Sequence, residues 1–401
     1  MAAGRVSTVL RMSALPDPVT FHLRRFRPAF TWRHYAVFVW LLTAPIAWSG
    51  TATLSALARV CPPRIQPWHL RRLLRSARWD WRGIFRALVR QLLDRLPAPK
   101  DGTLYLVVDS TMKRKRGWKM PLAKKGRLDS NRAVFWGFHL VVLLAQWDHF
   151  RVPVDFRIVR AKDSTGYVKE NALFREMTDA FSLPRWCQRV VVVADAGYAS
   201  KDNLRYVEKR GYFYVFALPR TWKLENGQSL RDLVTHLPVS LYKRISIPSN
   251  RRDRRRSYWV FLRRASLRHV GDVTLVLSRL RRNDGPKRTK ILVTNLSGVS
   301  VRVVVGIYQR RWWVETFFRE MKGAMGLGEH QVSSQEDRVE RSLAVPFMAY
   351  VLLLLVRRRD LKAGWSAFAL KQAFAWDLVR QEMAKARRSR IVPSVVLAHA
   401  A

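Results

Sequence analysis

Cysteine and acid are what this chain has least of. Two of its 401 residues are cysteine, Cys61 and Cys187. Neither stands in a CxxC pair, which argues against a disulfide framework and a thiolate zinc site and fits a reducing cytoplasm. The nine histidines do not cluster at metal-ligand spacing. Asp and Glu number 29 against 74 Lys and Arg, a formal net charge of +45. A globular protein gains nothing from repelling itself this strongly. A densely negative partner relieves the repulsion, and nucleic acid is the commonest such partner. The basic residues run through the whole length instead of flanking one apolar span, which favours nucleic acid over a membrane surface. Long apolar runs are also missing. Val37 to Trp48 and Leu343 to Val356 are 12 and 14 residues, short of the roughly 20 a spanning helix needs, so both read as core helices and no membrane partner is expected. The N-terminal MAAGRVSTVLRMSALPDP carries polar residues and prolines early and reads poorly as a secretory signal. No G-x4-G-K-[ST] loop occurs, so ATP is not expected, and no internal repeat is visible.

What remains is 48% hydrophobic, enough for two or three domains with real cores. Residues 1–98 read as helical, with helical apolar spacing over Thr51 to Val60, Pro67 to Arg75 and Trp81 to Leu96. Three short helices in a basic context suit a helix-turn-helix-like DNA-binding domain, and an ordinary bundle explains them equally well. A Pro-Ala-Pro-Lys-Asp-Gly linker starts at Pro97. Strands follow at Leu104 to Val108, Val134 to Trp147 and Val152 to Arg160. A helix is expected over Tyr167 to Phe181, a strand over Arg189 to Ala194, a helix over Lys201 to Lys209 and a strand over Tyr212 to Leu218. This β-β-β-α-β-α-β order is that of an α/β, ribonuclease-H-like catalytic core, placed at 99–218. Residues 219–298 read as a β-rich insertion, with stretches at Tyr242 to Ile247, Ser257 to Ala265, Asp272 to Leu280 and Lys290 to Asn295. The core is expected to resume at 299–335 with one helix from about Val301 to Met325. Residues 336–401 form a helical C-terminal region with a basic end.

Two carboxylates stand out. Asp109 and Asp195 each close a strongly apolar strand, TLYLVVD and RVVVVAD, and each is followed by small or hydroxyl residues. A carboxylate at the carboxyl end of a buried strand lies at the rim where α/β sheets put their sites. In a ribonuclease-H arrangement the first and fourth strands are parallel neighbours, which would bring both acids within reach of one ion. Two anions placed together repel and need a cation or a proton, and a divalent metal with oxygen ligands is the natural solution. For either Asp alone, capping a loop or a helix is the better explanation; two placed this way reverse that preference.

The third group lies in IYQRRWWVETFFREMKGAMGL, residues 307–327. At ~100° per residue, Tyr308, Arg311, Glu315 and Lys322 fall within an arc of about 60°, while Val314, Phe317, Phe318, Met321 and Met325 make an apolar face. One carboxylate between cationic and phenolic groups suits a place where metals and phosphates meet: Glu315 would complete the metal cage, and Arg311 and Lys322 would hold phosphates. A solvated helix face with ordinary ion pairs would show the same residues.

The spacing Tyr308-x2-Arg311-x3-Glu315-x6-Lys322 is similar to the Y-x2-R-x3-E-x6-K signature of bacterial insertion-sequence DDE transposases. Gly326-Leu327 and Gln331 resemble that group's GL…Q continuation, and VVDST at 107–111 and VVADAGYAS at 192–200 resemble its two Asp motifs. The resemblance covers about 105–335. Where some members have a second acid after the first Asp, this chain has Ser110.

The resemblance implies catalytic, metal-binding roles for Asp109, Asp195 and Glu315, holding two Mg2+ ions with Mn2+ as substitute. It also places Tyr308, Arg311 and Lys322 on DNA, and their neighbours Arg310, Arg319 and Trp312 are added as contacts. It implies cut-and-paste transposition, with excision through a hairpin and integration by 3′-hydroxyl attack. The expected partners are double-stranded DNA, as terminal inverted repeats and target, and a second copy of the chain in a homodimer. The expected location is the bacterial cytoplasm, at the nucleoid. Lys113 to Arg116, Arg251 to Arg256 and Arg281 to Lys290 are further candidates for DNA backbone, and Trp222 or Trp259 for stacking on a displaced base. A metal-dependent nuclease or domesticated relative without integration, and a catalytically dead DNA-binding regulator, are the alternatives.

Overall fold

A computed structural model describes residues 7–76, 79–115, 120–127, 134–248, 255–330, 335–389 and 395–398. The chain forms two compact units, one from Pro97–Thr111 and Leu140–Thr316, the other from Met1–Leu96, Met112–His139 and Phe317–Ala401.

The first unit is built on a mixed sheet. Its opening strand β1 (Thr103–Lys115) is apolar and buried at Leu104, Leu106, Val107 and Val108. β2 (Val134–Trp147) and β3 (Phe150–Ile158) pair as an antiparallel hairpin. Then come α1 (Glu170–Ala180), β4 (Arg189–Ala194), α2 (Lys201–Lys209) and β5 (Phe213–Ala217). In space the order is β3–β2–β1–β4–β5. β4 runs parallel to both β1 and β5, and as a central parallel strand it carries an unbroken buried run, Val190 to Ala194. Order and pairing are those of a ribonuclease-H-like core. One expectation needs correcting. β1 does not stop at Asp109 but continues to Lys115; it is the parallel partner β4 that stops, at Ala194.

The β-rich stretch holds the four expected strands: β6 (Lys243–Pro248), β7 (Arg255–Leu267), β8 (Gly271–Arg279) and β9 (Lys290–Thr294). They are not a separate layer. β9 pairs antiparallel with β5, and β8, β7 and β6 follow outward, so the insertion prolongs the core sheet. A short helix, α3 (Leu230–His236), capped by Ser229, was not anticipated.

The single helix expected over Val301 to Met325 is two. α4 (Val301–Gln309), capped by Ser300, buries Val304, Val305 and Ile307 and contacts strands from both halves of the sheet, β4 and β5 on one side and β6, β7 and β8 on the other. α5 (Trp312–Gly323) follows after a break at Arg310 and Arg311. There the amides of Arg310, Arg311, Trp313 and Val314 bond carbonyls three residues back. Such tightened turns interrupt the i→i−4 ladder and redirect the chain. Sequence periodicity cannot reveal this, because each helix keeps its own apolar face.

The second unit is mainly helical. Its core helix, Glu336–Val356, is buried at every residue from Ser342 to Leu355, against Trp32–Ala47, Trp81–Leu93 and their neighbours. It is long and apolar enough to cross a membrane, but here that surface is taken up by protein. Both apolar stretches flagged in the sequence are therefore core helices. Thr53 and Asp80 cap Leu54–Ala58 and Trp81–Leu93, setting starts close to those expected. In this unit α5 contributes Phe317, Phe318 and Met321, all buried. Its Glu320, also buried, accepts from the Tyr350 hydroxyl at 3.1 Å and the Ala367 amide at 3.0 Å.

Candidate active site

Asp109 and Asp195 lie side by side for a topological reason. In the parallel β1–β4 pair Val108 stands opposite Ala194, so the next residue on each strand is an aspartate. Neighbouring strands are about 4.8 Å apart, which sets the two carboxylates at one rim of the sheet. Asp109 is tethered by the Ser110 amide to Oδ1 at 2.8 Å, and Asp195 by the Gly197 amide to Oδ1 at 2.9 Å. Gly197 permits that approach: a Cβ there would come within 3.2 Å of the same oxygen.

Glu315 arrives from the first turn of α5, and Arg311, at the break between helices, ties it in. The Arg311 guanidinium gives one nitrogen to Asp109 Oδ2 at 3.2 Å and the other to Glu315 Oε1 at 2.5 Å. The helix break makes this possible by placing the start of α5 over the sheet rim. Burial pushes the Asp109 carboxyl up to about 6; the Ser110 amide opposes the shift, the charge of Asp195 adds to it, Arg311 opposes it, and Glu315 adds to it. Three carboxylates thus share one neighbourhood with a single guanidinium between two of them.

That arrangement bears on metal binding. The donor set is all carboxylate oxygen, the type taken by Mg2+ and Mn2+, and the Asp109 carboxyl is raised first by burial, with the charges of Asp195 and Glu315 adding to it. Among the described residues no three acidic, His or Cys side chains already stand at metal-ligand spacing. Arg311 lies between Asp109 and Glu315 and supplies the neutralising charge. The residues fit a divalent cation once that guanidinium moves aside.

Around the acids lie groups the sequence only partly signalled. Burial pushes the Tyr308 phenol up to about 12, and Tyr308 accepts from Lys290 Nζ at 3.5 Å. Arg310 is packed away from the acids, its guanidinium 4.0 Å from the Tyr105 ring centroid and donating to the Asp148 carbonyl at 3.4 Å. Trp312 is exposed. Tyr198 is buried against Phe174, its hydroxyl raised in pKa by burial and next by Glu170; the sequence showed it only as part of a small-residue stretch. Lys322 and Arg319 lie beyond Thr316, in the other unit. There Arg319 is exposed, and Lys322 has its pKa lowered by burial and by Lys113.

A cleft of about 700 Å³ shares Tyr308, Arg311 and Trp312 with this site. Among the described residues six cations line it, Arg255, Arg256, Arg279, Arg288, Lys290 and Arg311, and no carboxylate does. Of the basic runs picked from sequence, the ends of two therefore reach the cleft. In the third, Lys113 pairs with Glu329 at 3.7 Å and Lys115 is bound to the Gly328 and His330 carbonyls. Arg116, Arg251 to Arg254 and Gln331 lie outside the described residues. Trp222 and Trp259 are half-buried and do not line the cleft.

In sequence, residues 100–352 match the transposase DDE domain. The chain belongs to that family. No curated protein matches it in sequence. Its fold resembles that of a solved piggyBac transposase synaptic complex with hairpin DNA, with a TM-score of 0.50 at 10% identity over 94% of this chain and 78% of that one. At that identity the likeness speaks to the fold, and the family match to the activity. DDE transposases cleave and rejoin DNA strands with divalent metal ions.

Proposed function

We propose that this transposase excises and integrates an insertion sequence by cut-and-paste transposition, with Asp109, Asp195 and Glu315 as its catalytic acids. The reading is carried by one observation: two aspartates end paired stretches of adjacent parallel strands, and a glutamate is tied to the first of them through a shared arginine. Asp109, Asp195 and Glu315 would hold two Mg2+ ions, or Mn2+ as substitute, which acidify an attacking water or 3′-hydroxyl and neutralise the departing oxygen. The protein's own part is positional. Arg311, released from the acids, offers a planar fork to phosphate oxygens, and Tyr308 offers a hydroxyl beside it. The basic cleft alongside neutralises the strand on its way to the acids.

The substrates are the element's terminal inverted repeats and a target duplex, handled by two copies of the chain, with excision through a hairpin; the similar piggyBac complex holds hairpin DNA. The helices of residues 1–98 would grip the repeats, and Lys322 would add a phosphate contact. The setting is the bacterial cytoplasm, at the nucleoid. The test uses the DNA flanking the gene. Duplexes from both flanks are incubated with the protein and Mg2+ or EDTA, and the products are resolved on denaturing gels. Metal-dependent nicks at the repeat ends followed by joined products are expected. Nicks without joined products would leave a nuclease, and binding without nicks a regulator.

A further inference from the structure

The sheet rim that carries the two aspartates carries a third polar head. β9 runs antiparallel to β5 with Leu292 opposite Ala217. Its first residue, Lys290, therefore emerges at the same end of the sheet at which β1 and β4 deliver Asp109 and Asp195. Two strand spacings, about 10 Å, separate β9 from β4. Lys290 is exposed, and its Nζ lies 5.1 Å from the centre of the Tyr308 ring. Arg311 takes both ion pairs of the site, and among the described residues Lys290 has the Tyr308 hydroxyl as its polar partner.

Lys290, Tyr308 and Arg311 all line the cleft, which among the described residues gathers six cations and no carboxylate. Cations gathered like this repel one another, and a polyanion entering the cleft removes the repulsion. A strand laid along the rim toward Asp109 and Asp195 passes Lys290 on the way.

We propose that Lys290 is a substrate-contacting residue of the transposase, its ammonium holding the non-bridging oxygens of a phosphate that flanks the one being cut. As a compact point charge on a flexible stem, it can follow that phosphate through strand displacement, whereas Arg311 is geometrically stricter. This inference rests on the reading of Asp109, Asp195 and Glu315 as the strand-cutting centre.

The test compares wild type with Lys290→Met, Lys290→Arg and a control, Arg264→Gln, which removes an exposed cation of β7 outside the cleft. The probe is a duplex copied from the DNA flanking the gene, carrying a single methylphosphonate at each position within three nucleotides of the cut. One lost phosphate contact should lower the slope of log affinity against log salt by about 0.9 and raise KM with little change in kcat. At one position the methylphosphonate should weaken wild type and Arg264→Gln about tenfold yet leave Lys290→Met unaffected, and Lys290→Arg should restore part of the contact. If every position weakens Lys290→Met as much as wild type, the proposal fails. If wild type does not nick the duplex at all, the reading of the acids fails instead, and the binding scan still decides whether Lys290 meets a phosphate.

Discussion

Replacing Arg311 with methionine takes away the guanidinium that bridges Asp109 and Glu315, and the structure allows its effect on metal binding to be worked out. The side chains of Arg311 and Asp109 are 18% and 15% exposed, so that contact is largely shielded from water; Glu315 is 37% exposed, and its contact is discounted accordingly. A hydrogen bond to a charged group contributes about 1.5–3 kcal/mol net, so roughly that much is lost when a metal displaces Arg311 in the DNA-free protein. At 1.4 kcal/mol per factor of ten, Arg311→Met should bind Mn2+ about ten- to a hundredfold more tightly than wild type without DNA. In wild type a DNA phosphate competes for the guanidinium, so DNA should raise Mn2+ affinity by a similar factor, and Mn2+ should raise DNA affinity equally, because coupling is reciprocal. Arg311→Met should lose most of that coupling. Electron paramagnetic resonance of free Mn2+, titrated with and without a duplex, reads all four affinities. Wild type binding Mn2+ equally well with and without DNA, while the mutant binds no tighter, would refute the reasoning.

Asp109→Asn, Asp195→Asn and Glu315→Gln should each abolish Mg2+-dependent nicking while leaving duplex binding in a mobility-shift assay close to wild type; wild-type rates in any one would remove that residue from the site. The raised Asp109 pKa also carries a stability prediction. Its folded value of about 6 lies above the ordinary 3.8, so ionising it destabilises the metal-free fold, by nothing below about pH 4 and by its full amount above about pH 6, roughly 2–3 kcal/mol. Thermal melts in EDTA should show Asp109→Asn more stable than wild type at pH 7.5 and equal to it at pH 4. In the helical unit, Glu320→Ala removes the buried carboxylate that accepts from the Tyr350 hydroxyl and the Ala367 amide and should cost about 2–4 kcal/mol. Urea unfolding followed by circular dichroism measures it, and a loss under 1 kcal/mol would show that water replaces the acceptor.

The sequence by itself determined what depends on near neighbours along the chain. The unbroken valines of Arg189–Ala194 need two buried faces, and that alone marks a central parallel strand. Asp109 and Asp195 were legible because two carboxylates each close such a run, and capping, which would explain one alone, does not explain the pair. Capping residues such as Ser200 and Ser300 fixed helix starts locally. Tertiary structure decided whatever depends on pairing across long stretches of chain. That β9 adds to β5, and so carries Lys290 to the rim of the aspartates, follows from register between strands more than seventy residues apart in the chain. The break at Arg310 and Arg311 leaves the apolar period intact and changes only direction, so no pattern announces it. It nevertheless puts Arg311 between Asp109 and Glu315, while Lys322, on the same predicted arc, falls in the other unit. Periodicity records which side of an element is buried, and the packing of elements on one another decides which side chains meet.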